Sequence, residues 1–339
     1  MNLPDVNVPL HALYEMANEP TRPKLLAVGI EVGVFDHLWE PETAEAVAAA
    51  MSTHRENTRH LLDGLTACGL LIKEKGRYRN TPQAQIALVR GEPTYTGEML
   101  LLIMQTLQAP LDRLTELLTD GPSPPDHQAS VESEDFWVRY AYALANYQRA
   151  GFARQAAEIV SALPEFPSFG KMLDLGAGPG IVALAVVDAH PSMTGVVFDQ
   201  PAMSRIAQTF IDEYGMADRV SVIGGDYRQD ALGDGYDLIW TSATLNFAGP
   251  LDKMVRKIYD ALNPGGVFVN LGDGVTDEGT QPAAYIFNAL PYAFMGEDIR
   301  IPQGAIAESM RRAGFASIVS RTIDTPMIAM DLDIARKSG

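Results

Sequence analysis

Residues 171–187 read KMLDLGAGPGIVALAVV, and this stretch decides the fold. A short run at 172–175, apolar except for Asp174, precedes three glycines at 176, 178 and 180. An apolar, alanine-rich run then begins at Ile181. This order predicts a buried strand, a tight turn and a helix packed on a sheet. A turn without side chains lets a ligand approach backbone N–H groups at a helix start, so the stretch predicts a nucleotide-type site.

The spacing of the glycines narrows the kind of ligand. Dinucleotide-binding turns carry G-x-G-x-x-G, whereas this chain has G-x-G-x-G and places Ile181 where the last glycine would stand. Asp174 opens the motif, and Asp199 ends the next apolar strand, where an acid suits a ribose diol. A tight turn without any ligand is the alternative, and the acids at the ends of later strands disfavour it.

Strands and helices alternate regularly from Lys171 onward, which predicts a doubly wound, mostly parallel seven-stranded sheet in an α/β domain. The predicted strands are 172–175, 195–198, 220–224, 238–241, 267–271, 317–321 and 327–333. Ligands of such sheets bind beyond the carboxyl ends of the strands. The candidate site segments are therefore 176–180, 199–200, 225–227, 241–247 and 272–273.

The first hundred residues predict a mainly α-helical winged-helix domain, 1–100. Its signals are helices at 24–38, 43–51 and 57–68, followed by a hairpin that turns at residues 75–77. The hairpin is basic, which permits two interpretations: a DNA-contacting wing, or a solvated hairpin on a domain with another task. The net charge of −17 favours the second, and it disfavours nucleic acid and anionic membranes as partners.

A helical connector is predicted at 101–165, before the ligand-binding domain at 166–339. Pro110 is expected to break its first long helix. A second helix is expected at 135–163, with Tyr142, Asn146 and Arg149 on one face. Its aromatic residues, Trp137 and Tyr140 among them, are interpreted either as core or as the wall of a substrate pocket.

Cys68 is the single cysteine, so neither an internal disulfide nor a cysteine-based metal site is expected, and no metal is predicted. The first residues, MNLPDVNVPL, lack the basic start and apolar core of a signal peptide. No apolar run is long enough to span a bilayer. These observations predict a cytoplasmic protein.

The segment D-L-G-A-G-P-G resembles motif I of class I S-adenosylmethionine (SAM) methyltransferases. The order of winged helix, long helices and this motif resembles the small-molecule O-methyltransferases with an N-terminal dimerisation domain, which implies a homodimer and a Rossmann-like fold. VVFDQP and GGDYRQD resemble that family's ribose and adenine segments. The resemblance implies SAM as cofactor, S-adenosylhomocysteine (SAH) as product, and these cofactor-binding residues: Asp174, Gly176, Ala177, Gly178, Gly180, Asp199, Gln200, Gly225, Asp226, Tyr227 and Thr241.

One position departs from the family pattern. The family carries a catalytic histidine after the fourth strand, and this chain has Asn246 there. An asparagine amide does not accept a proton at neutral pH, whereas a phenol or alcohol acceptor needs a base. Asp273 is the best remaining base candidate. Either another group replaces the base, or the acceptor needs none.

A thioether acceptor needs no base, because its sulfur has no proton to lose. Base-free S-methylation is therefore the favoured hypothesis, similar to the bacterial S-methyltransferases that act on methylthiohydroxybutyrate on the way to dimethylsulfoniopropionate. O-methylation with a replaced base is the alternative, and a SAM-sensing DNA-binding regulator is a third possibility. The product sulfonium would be stabilised by aromatic faces, and Tyr142 is one candidate, beside Asn246 and Asp273, for the catalytic set. The predicted acceptor-binding residues are Trp137, Tyr140, Asn146, Arg149, Asn288, Tyr292 and Met295.

Overall fold

A computed structural model describes residues 7–122 and 134–339 of the chain, without the side chains of residues 109 and 134–137. The chain divides into two compact units, Met1–Gln105 and Thr106–Gly339. From residue 106 onward, the predicted connector therefore belongs to the second unit. Among the described residues, no helix is both long enough and apolar enough to cross a membrane.

The first unit contains the helices and the hairpin that the sequence predicts. Its elements are α1 (His11–Asn18), α2 (Thr21–Val32), β1 (Glu42–Thr43), α3 (Ala44–Met51), α4 (Arg55–Ala67), β2 (Leu71–Glu74), β3 (Arg77–Asn80) and α5 (Pro82–Leu88). The three strands form one antiparallel sheet in the order β1-β3-β2. Thr43 caps α3 by accepting the N–H of Ala46, which explains why that helix begins there.

The basic hairpin of this unit is partly neutralised by its own neighbours. Lys73 Nζ lies 2.6 Å from Asp63 Oδ1, and Arg77 Nη1 donates to the carbonyl oxygen of Pro41 at 3.0 Å. Asp63 also accepts the hydroxyl of Tyr78 at 2.8 Å. The hairpin thus uses two of its cations within the unit.

Helices α6 (Gly97–Asp112), α7 (Leu114–Asp120), α8 (Glu134–Tyr147) and α9 (Ala153–Ser161) follow. The predicted break at Pro110 is displaced: α6 continues to Asp112, and the chain leaves helical geometry at Arg113. The single helix predicted over 135–163 is also interrupted. A π-helix, Gln148–Phe152, separates α8 from α9, and Ala150 and Gly151 inside it have non-helical dihedral angles.

The second unit contains the predicted seven-stranded sheet. Its strands are β4 (Lys171–Leu175), β5 (Thr194–Asp199), β6 (Val220–Gly224), β7 (Tyr236–Ser242), β8 (Leu262–Gly272), β9 (Ser317–Asp324) and β10 (Ala329–Arg336). The order is β6-β5-β4-β7-β8-β10-β9, with β10 antiparallel to both neighbours and the other pairs parallel. This confirms the α/β, mostly parallel, doubly wound fold. The strand order reverses between β4 and β7, where such folds bind ligands.

Helices cover both faces of this sheet. They are α10 (Ile181–Asp188) and α11 (Pro201–Glu213) on one face, and α12 (Leu251–Ala261) and α14 (Ala305–Ala313) on the other. Helix α13 (Ala283–Phe294) instead packs Tyr285 and Ala289 in a separate small cluster with Ile299. One core joins α9, α10 and α11 to side chains such as Met172 and Trp240, and the other joins α12 and α14 to Leu173 and Phe268. Alternate residues of a strand thus enter opposite cores, which fixes the register and presents the strand ends as one edge.

Candidate active site

The turn between β4 and α10 requires its three glycines. Gly176, Gly178 and Gly180 have φ angles of +68°, +61° and +78°, a region that side chains disfavour. A Cβ atom on Gly176 would also lie 2.5 Å from Cγ2 of Thr244, and one on Gly178 would lie 2.6 Å from Cδ2 of Leu144. Both the backbone conformation and the neighbours therefore demand glycine at these positions.

The backbone N–H groups of the turn have acceptors within the protein, a feature that the sequence pattern does not reveal. Each N–H from Gly176 to Ile181 already donates within the protein (Pro179 has none). The acceptors are the carbonyl of Phe198 for Gly176 and Ala177, Oδ2 of Asp199 for Gly178, the carbonyl of Ala177 for Gly180, and Oε1 of Gln148 for Ile181. A phosphate would have to displace several of these bonds.

Carboxylates, rather than free N–H groups, characterise this edge of the sheet. Asp199 accepts the N–H of Gly178 at one oxygen and the N–H of Gln200 at the other, both at 2.7 Å. Burial, partly opposed by these bonds, raises its pKa. Such oxygens keep lone pairs that can accept hydroxyl or ammonium protons. The arrangement favours a ligand with a diol or a cationic group over a phosphate.

Asp174 is the most buried acid of the site. It is 1% exposed, and its Oδ2 atom has no hydrogen-bond partner among the described residues. Burial is the main reason why its pKa rises to about 8; the N–H of Ala183 opposes the shift and the charge of Asp199 adds to it. An unpartnered buried oxygen of this kind predicts a donor that is supplied by a ligand.

The segment after β6 lies against Asp199. The N–H of Gly225 donates to the Asp199 carbonyl at 2.9 Å, and the charge of Asp199 adds to burial in raising the pKa of Tyr227. Asp226 binds the Arg228 guanidinium at 2.9 Å, and this bond is the main cause of a pKa lowered to about 2. The structure therefore brings the predicted ribose and adenine segments together.

Thr241 does not belong to this group. It is fully buried, and its hydroxyl donates to Oδ1 of Asn270 on the neighbouring strand at 2.9 Å. Its place beside the glycine turn is taken by Thr244, whose hydroxyl donates to the Leu175 carbonyl at 2.9 Å. Thr241 therefore has a structural role inside the sheet, because the chain still runs as a strand at that residue.

Aromatic rings from three segments lie close to one another: Tyr140 on α8, Tyr292 on α13 and Phe247 after β7. Burial, followed by the nearby Tyr292 and Asp199, raises the pKa of Tyr140 on α8. Tyr292 on α13 meets the ring of Phe247 edge-on, with centroids 6.3 Å apart. The rings of these residues are only partly covered, and Phe247 is 46% exposed. We name Tyr140, Tyr292 and Phe247 the aromatic wall.

The opposite face of α8 packs on α11 and does not join the aromatic wall. Tyr142 lies edge-on against Phe210 at 5.2 Å between centroids. The Arg149 guanidinium stacks on Phe210 at 4.8 Å, donates to the Tyr214 hydroxyl at 2.8 Å and pairs with Glu213. Asn146 accepts a bond from Arg149 at 3.3 Å. This face of the helix holds α8 against α11; the catalytic role of Tyr142 and acceptor binding by Asn146 and Arg149 stay predictions.

For two of the remaining predicted acceptor residues, the structure shows how far each is exposed. Asn288 is exposed on α13, and Met295 is half-buried just after that helix. The side chain of Trp137 lies outside the described residues. Arg300, a further cation near this segment, forms two bonds to Asp298, at 2.7 and 2.6 Å.

Asn246 and Asp273 both lie close to the buried phenol of Tyr285. The Asn246 amide donates to the Tyr285 hydroxyl at 2.8 Å and to the Ile299 carbonyl at 2.9 Å. The Asp273 charge adds to burial in raising the pKa of Tyr285 to about 12. Burial, followed by the charge of Asp331, raises the pKa of Asp273 itself to about 6. Its Oδ1 atom is buried without a hydrogen-bond partner among the described residues.

Comparisons with known proteins agree with this fold. Residues 123–315 match the model of the O-methyltransferase domain, and residues 14–90 match the O-methyltransferase dimerisation domain. Since the first match covers more than half of the chain, the protein belongs to the O-methyltransferase family. It is a methyltransferase, and the cofactor of this class is SAM.

Individual relatives differ in the atom that they methylate. The N,N-dimethyltransferase OxyT of Streptomyces rimosus is 28% identical over 297 residues, 85% of each chain. The 3-hydroxy-5-methyl-1-naphthoate 3-O-methyltransferase of Streptomyces sahachiroi is 28% identical over 269 residues, 75% of this chain and 74% of the relative. The human N-acetylserotonin methyltransferase structure, a complex with SAM, shares the fold with a TM-score of 0.80 and 23% identity, and the match covers 100% of each chain.

The residues present fit SAM. The acids at 174 and 199 offer acceptors for a cationic group and for ribose hydroxyls, and the glycines keep the turn beside these acids free of side chains. Sequence reasoning did not single out three residues that shape the site: Leu144, Gln148 and Tyr285. Most of them act through contacts with distant parts of the chain, which no local pattern reveals.

Proposed function

We propose that this chain methylates an oxygen atom of a small, largely apolar molecule and that Asp273 is the general base. The observation that carries the proposal is the buried, unpartnered Oδ1 of Asp273, close to the Tyr285 that binds Asn246. A carboxyl with a pKa of about 6 is ionised at neutral pH and still basic enough to take a proton. The role of general base, which a histidine has in the family, would thus belong to a residue directly after the end of β8.

The cofactor residues divide by chemistry. Asp199 and Gln200 would hold the ribose, Asp226 and Tyr227 the adenine, and Asp174 with Gly176, Ala177, Gly178 and Gly180 the methionine part. When bound, SAM supplies an electrophilic methyl group. Asp174 would gain the donor that its Oδ2 lacks, which offsets the cost of burying it.

The aromatic wall favours a flat acceptor without a strong negative charge. Of the cations near α8 and α13, Arg149 pairs with Glu213 and Arg300 with Asp298. An acceptor carboxylate at either guanidinium would have to share its positive charge with the carboxylate that is already paired there. Aromatic rings instead bind planar molecules by offset stacking and edge contacts.

S-methylation of a thioether without a base is the second candidate. It is favoured by one observation: Asn246, at the family's base position, uses its amide nitrogen to bind Tyr285 and Ile299. The aromatic wall would also stabilise a sulfonium product. The relatives named above act on nitrogen and oxygen. An acid of the methylthiohydroxybutyrate type would need a cation to bind its carboxylate, and none of the described residues that we assign to the pocket supplies a free one.

A homodimer accompanies either chemistry. The match of residues 14–90 to a dimerisation domain supports it. Within α1, Leu13, Tyr14 and Met16 are 63–69% exposed, an apolar surface that a second copy would cover. The cytoplasmic location stays a prediction.

The proposal is tested by supplying SAM with separate panels of phenols, aromatic amines and thioethers and measuring SAH by mass spectrometry. We expect product with phenols, and we expect Asp273→Asn to lower that rate about 100-fold or more. Turnover of thioethers alone, retained in Asp273→Asn, would establish the second candidate instead.

A further inference from the structure

The side-chain amide of Gln148 forms two hydrogen bonds with the glycine turn. Its Nε2 donates to the Ala177 carbonyl at 3.4 Å, and its Oε1 accepts the N–H of Ile181, the first residue of α10, at 3.1 Å. The side chain is 5% exposed. A buried amide whose two ends are both used on one turn fixes that turn relative to its own helix.

A second contact lies one helical turn earlier. A Cβ on Gly178 would come within 2.6 Å of Leu144 Cδ2, so this leucine packs directly on the turn. Leu144 and Gln148 are four residues apart, on the same face of the helix. The end of α8 therefore meets the turn through one apolar and one polar side chain.

The same helix carries side chains of the proposed acceptor pocket. Tyr140 lies near Asp199 and Tyr292, and the charge of Asp273 contributes to the raised pKa of Tyr147. A shift of α8 on the turn would therefore move Tyr140 and Tyr147 relative to the acids at both ends of the pocket.

The regular helix ends where Gln148 binds. The π-helix begins at this residue, and Gly151 within it has a φ angle of +122°. Segments of this kind interrupt the hydrogen-bond ladder and are frequent at functional sites. The interruption gives α8 a place to pivot separately from α9.

We propose that Gln148 is a positioning residue that transmits occupancy of the glycine turn to α8, so that the acceptor pocket is completed only after the cofactor binds. The inference rests on the proposed function, because it takes the turn to be the cofactor site. Coupling between two sites is reciprocal, so whatever orders α8 should also tighten the cofactor site.

The test is hydrogen–deuterium exchange of the α8 amides, with and without saturating SAH, in the full-length protein. The variants are Gln148→Ala and the near-isosteric Gln148→Met, which keeps the test valid if the alanine variant unfolds. Gln155→Ala is the matched control: Gln155 also donates its amide to a distant carbonyl, that of Asp324 at 2.6 Å, and does not contact the turn.

We expect SAH to slow exchange in α8 roughly tenfold in the natural protein and in Gln155→Ala, and to leave it nearly unchanged in both Gln148 variants. The SAH dissociation constant of those variants should rise roughly 5- to 30-fold, the usual cost of a lost buried hydrogen bond. Equal SAH-induced protection in Gln148→Met would overturn the inference while leaving the proposed function standing. Failure of the natural protein to bind SAH would overturn both.

Discussion

The amide nitrogen of Asn246 lies 2.8 Å from the phenol oxygen of Tyr285 and donates to it. The same nitrogen donates to the Ile299 carbonyl, which also accepts the Tyr285 hydroxyl at 3.1 Å. Three groups from separate segments thus close a triangle. Asn246 is therefore an anchor in this part of the fold, because its amide nitrogen is already used in two hydrogen bonds.

This triangle predicts coupled effects on stability. Asn246→Ala and Tyr285→Phe should each lower the free energy of unfolding by about 1–2 kcal/mol, because each removes hydrogen bonds in a covered site. The double variant should cost less than the sum by at least ~0.5 kcal/mol, as expected for residues in direct contact. Denaturant unfolding of the four proteins measures this cycle, and strict additivity would show that the two side chains act independently.

The glycine turn predicts a large penalty for one added methyl group. Gly178→Ala meets both a φ angle of +61° and Leu144, and should abolish measurable SAH binding. Gly76→Ala is the control, since Gly76 has a φ angle of +77° in the hairpin turn and nothing within 4 Å of its Cβ position. The control should lose about 1 kcal/mol of stability from backbone strain alone and retain SAH binding. Calorimetric titration with SAH separates the two effects, and comparable SAH affinity in both variants would contradict the packing argument.

The buried Asp174 carboxyl is expected to lower the stability of the ligand-free protein and to strengthen ligand binding. Its pKa is higher in the folded chain, about 8, than the ordinary value of 3.8, so this residue's contribution to stability falls as the pH rises through that window. Asp174→Asn should therefore stabilise the ligand-free protein at pH 8 by about 1–3 kcal/mol and weaken SAH binding at least tenfold. Thermal unfolding of the natural protein and of Asp174→Asn at pH 5 and pH 8 checks the direction of this effect. A stability advantage of the variant that does not grow from pH 5 to pH 8 would contradict the prediction.

The sequence predicted the parts of the molecule that depend on local geometry. Glycines at alternate positions after a buried strand demand positive φ angles, and alternating strand residues must enter two cores, so both the turn and the seven-stranded sheet were predictable. The hairpin turn predicted at residues 75–77 is also a local feature, and Lys75 and Gly76 have positive φ angles there.

The contacts that define the chemistry were not predictable in the same way. Gln148 reaches Ile181 across 33 residues, and Asn246 reaches Tyr285 across 39. Periodicity placed Arg149 on a helix face correctly but could not tell whether that face meets a ligand or α11. The end of the strand that contains Thr241 was also misjudged by one residue, because β7 extends to Ser242.

Asp331 offers an independent check on Asp273. Gln303 holds the Asp331 carboxylate at 3.0 Å, and its charge adds to burial in raising the pKa of Asp273. Asp331→Asn removes that charge, so the pKa of Asp273 should fall and the acidic limb of the pH–rate profile should move to lower pH. An unchanged limb, in a variant that folds normally, would mean that Asp273 does not control the rate.

The most direct test of the account is the pH dependence of kcat/KM between pH 5 and 9 with the best phenolic acceptor. We predict a rate that falls below about pH 6, as Asp273 gains a proton, and a loss of about 100-fold or more in Asp273→Asn that no pH restores. A profile that is flat across this range, together with near-normal activity of Asp273→Asn, would contradict a base role for Asp273 and point to an acceptor that has no proton to lose.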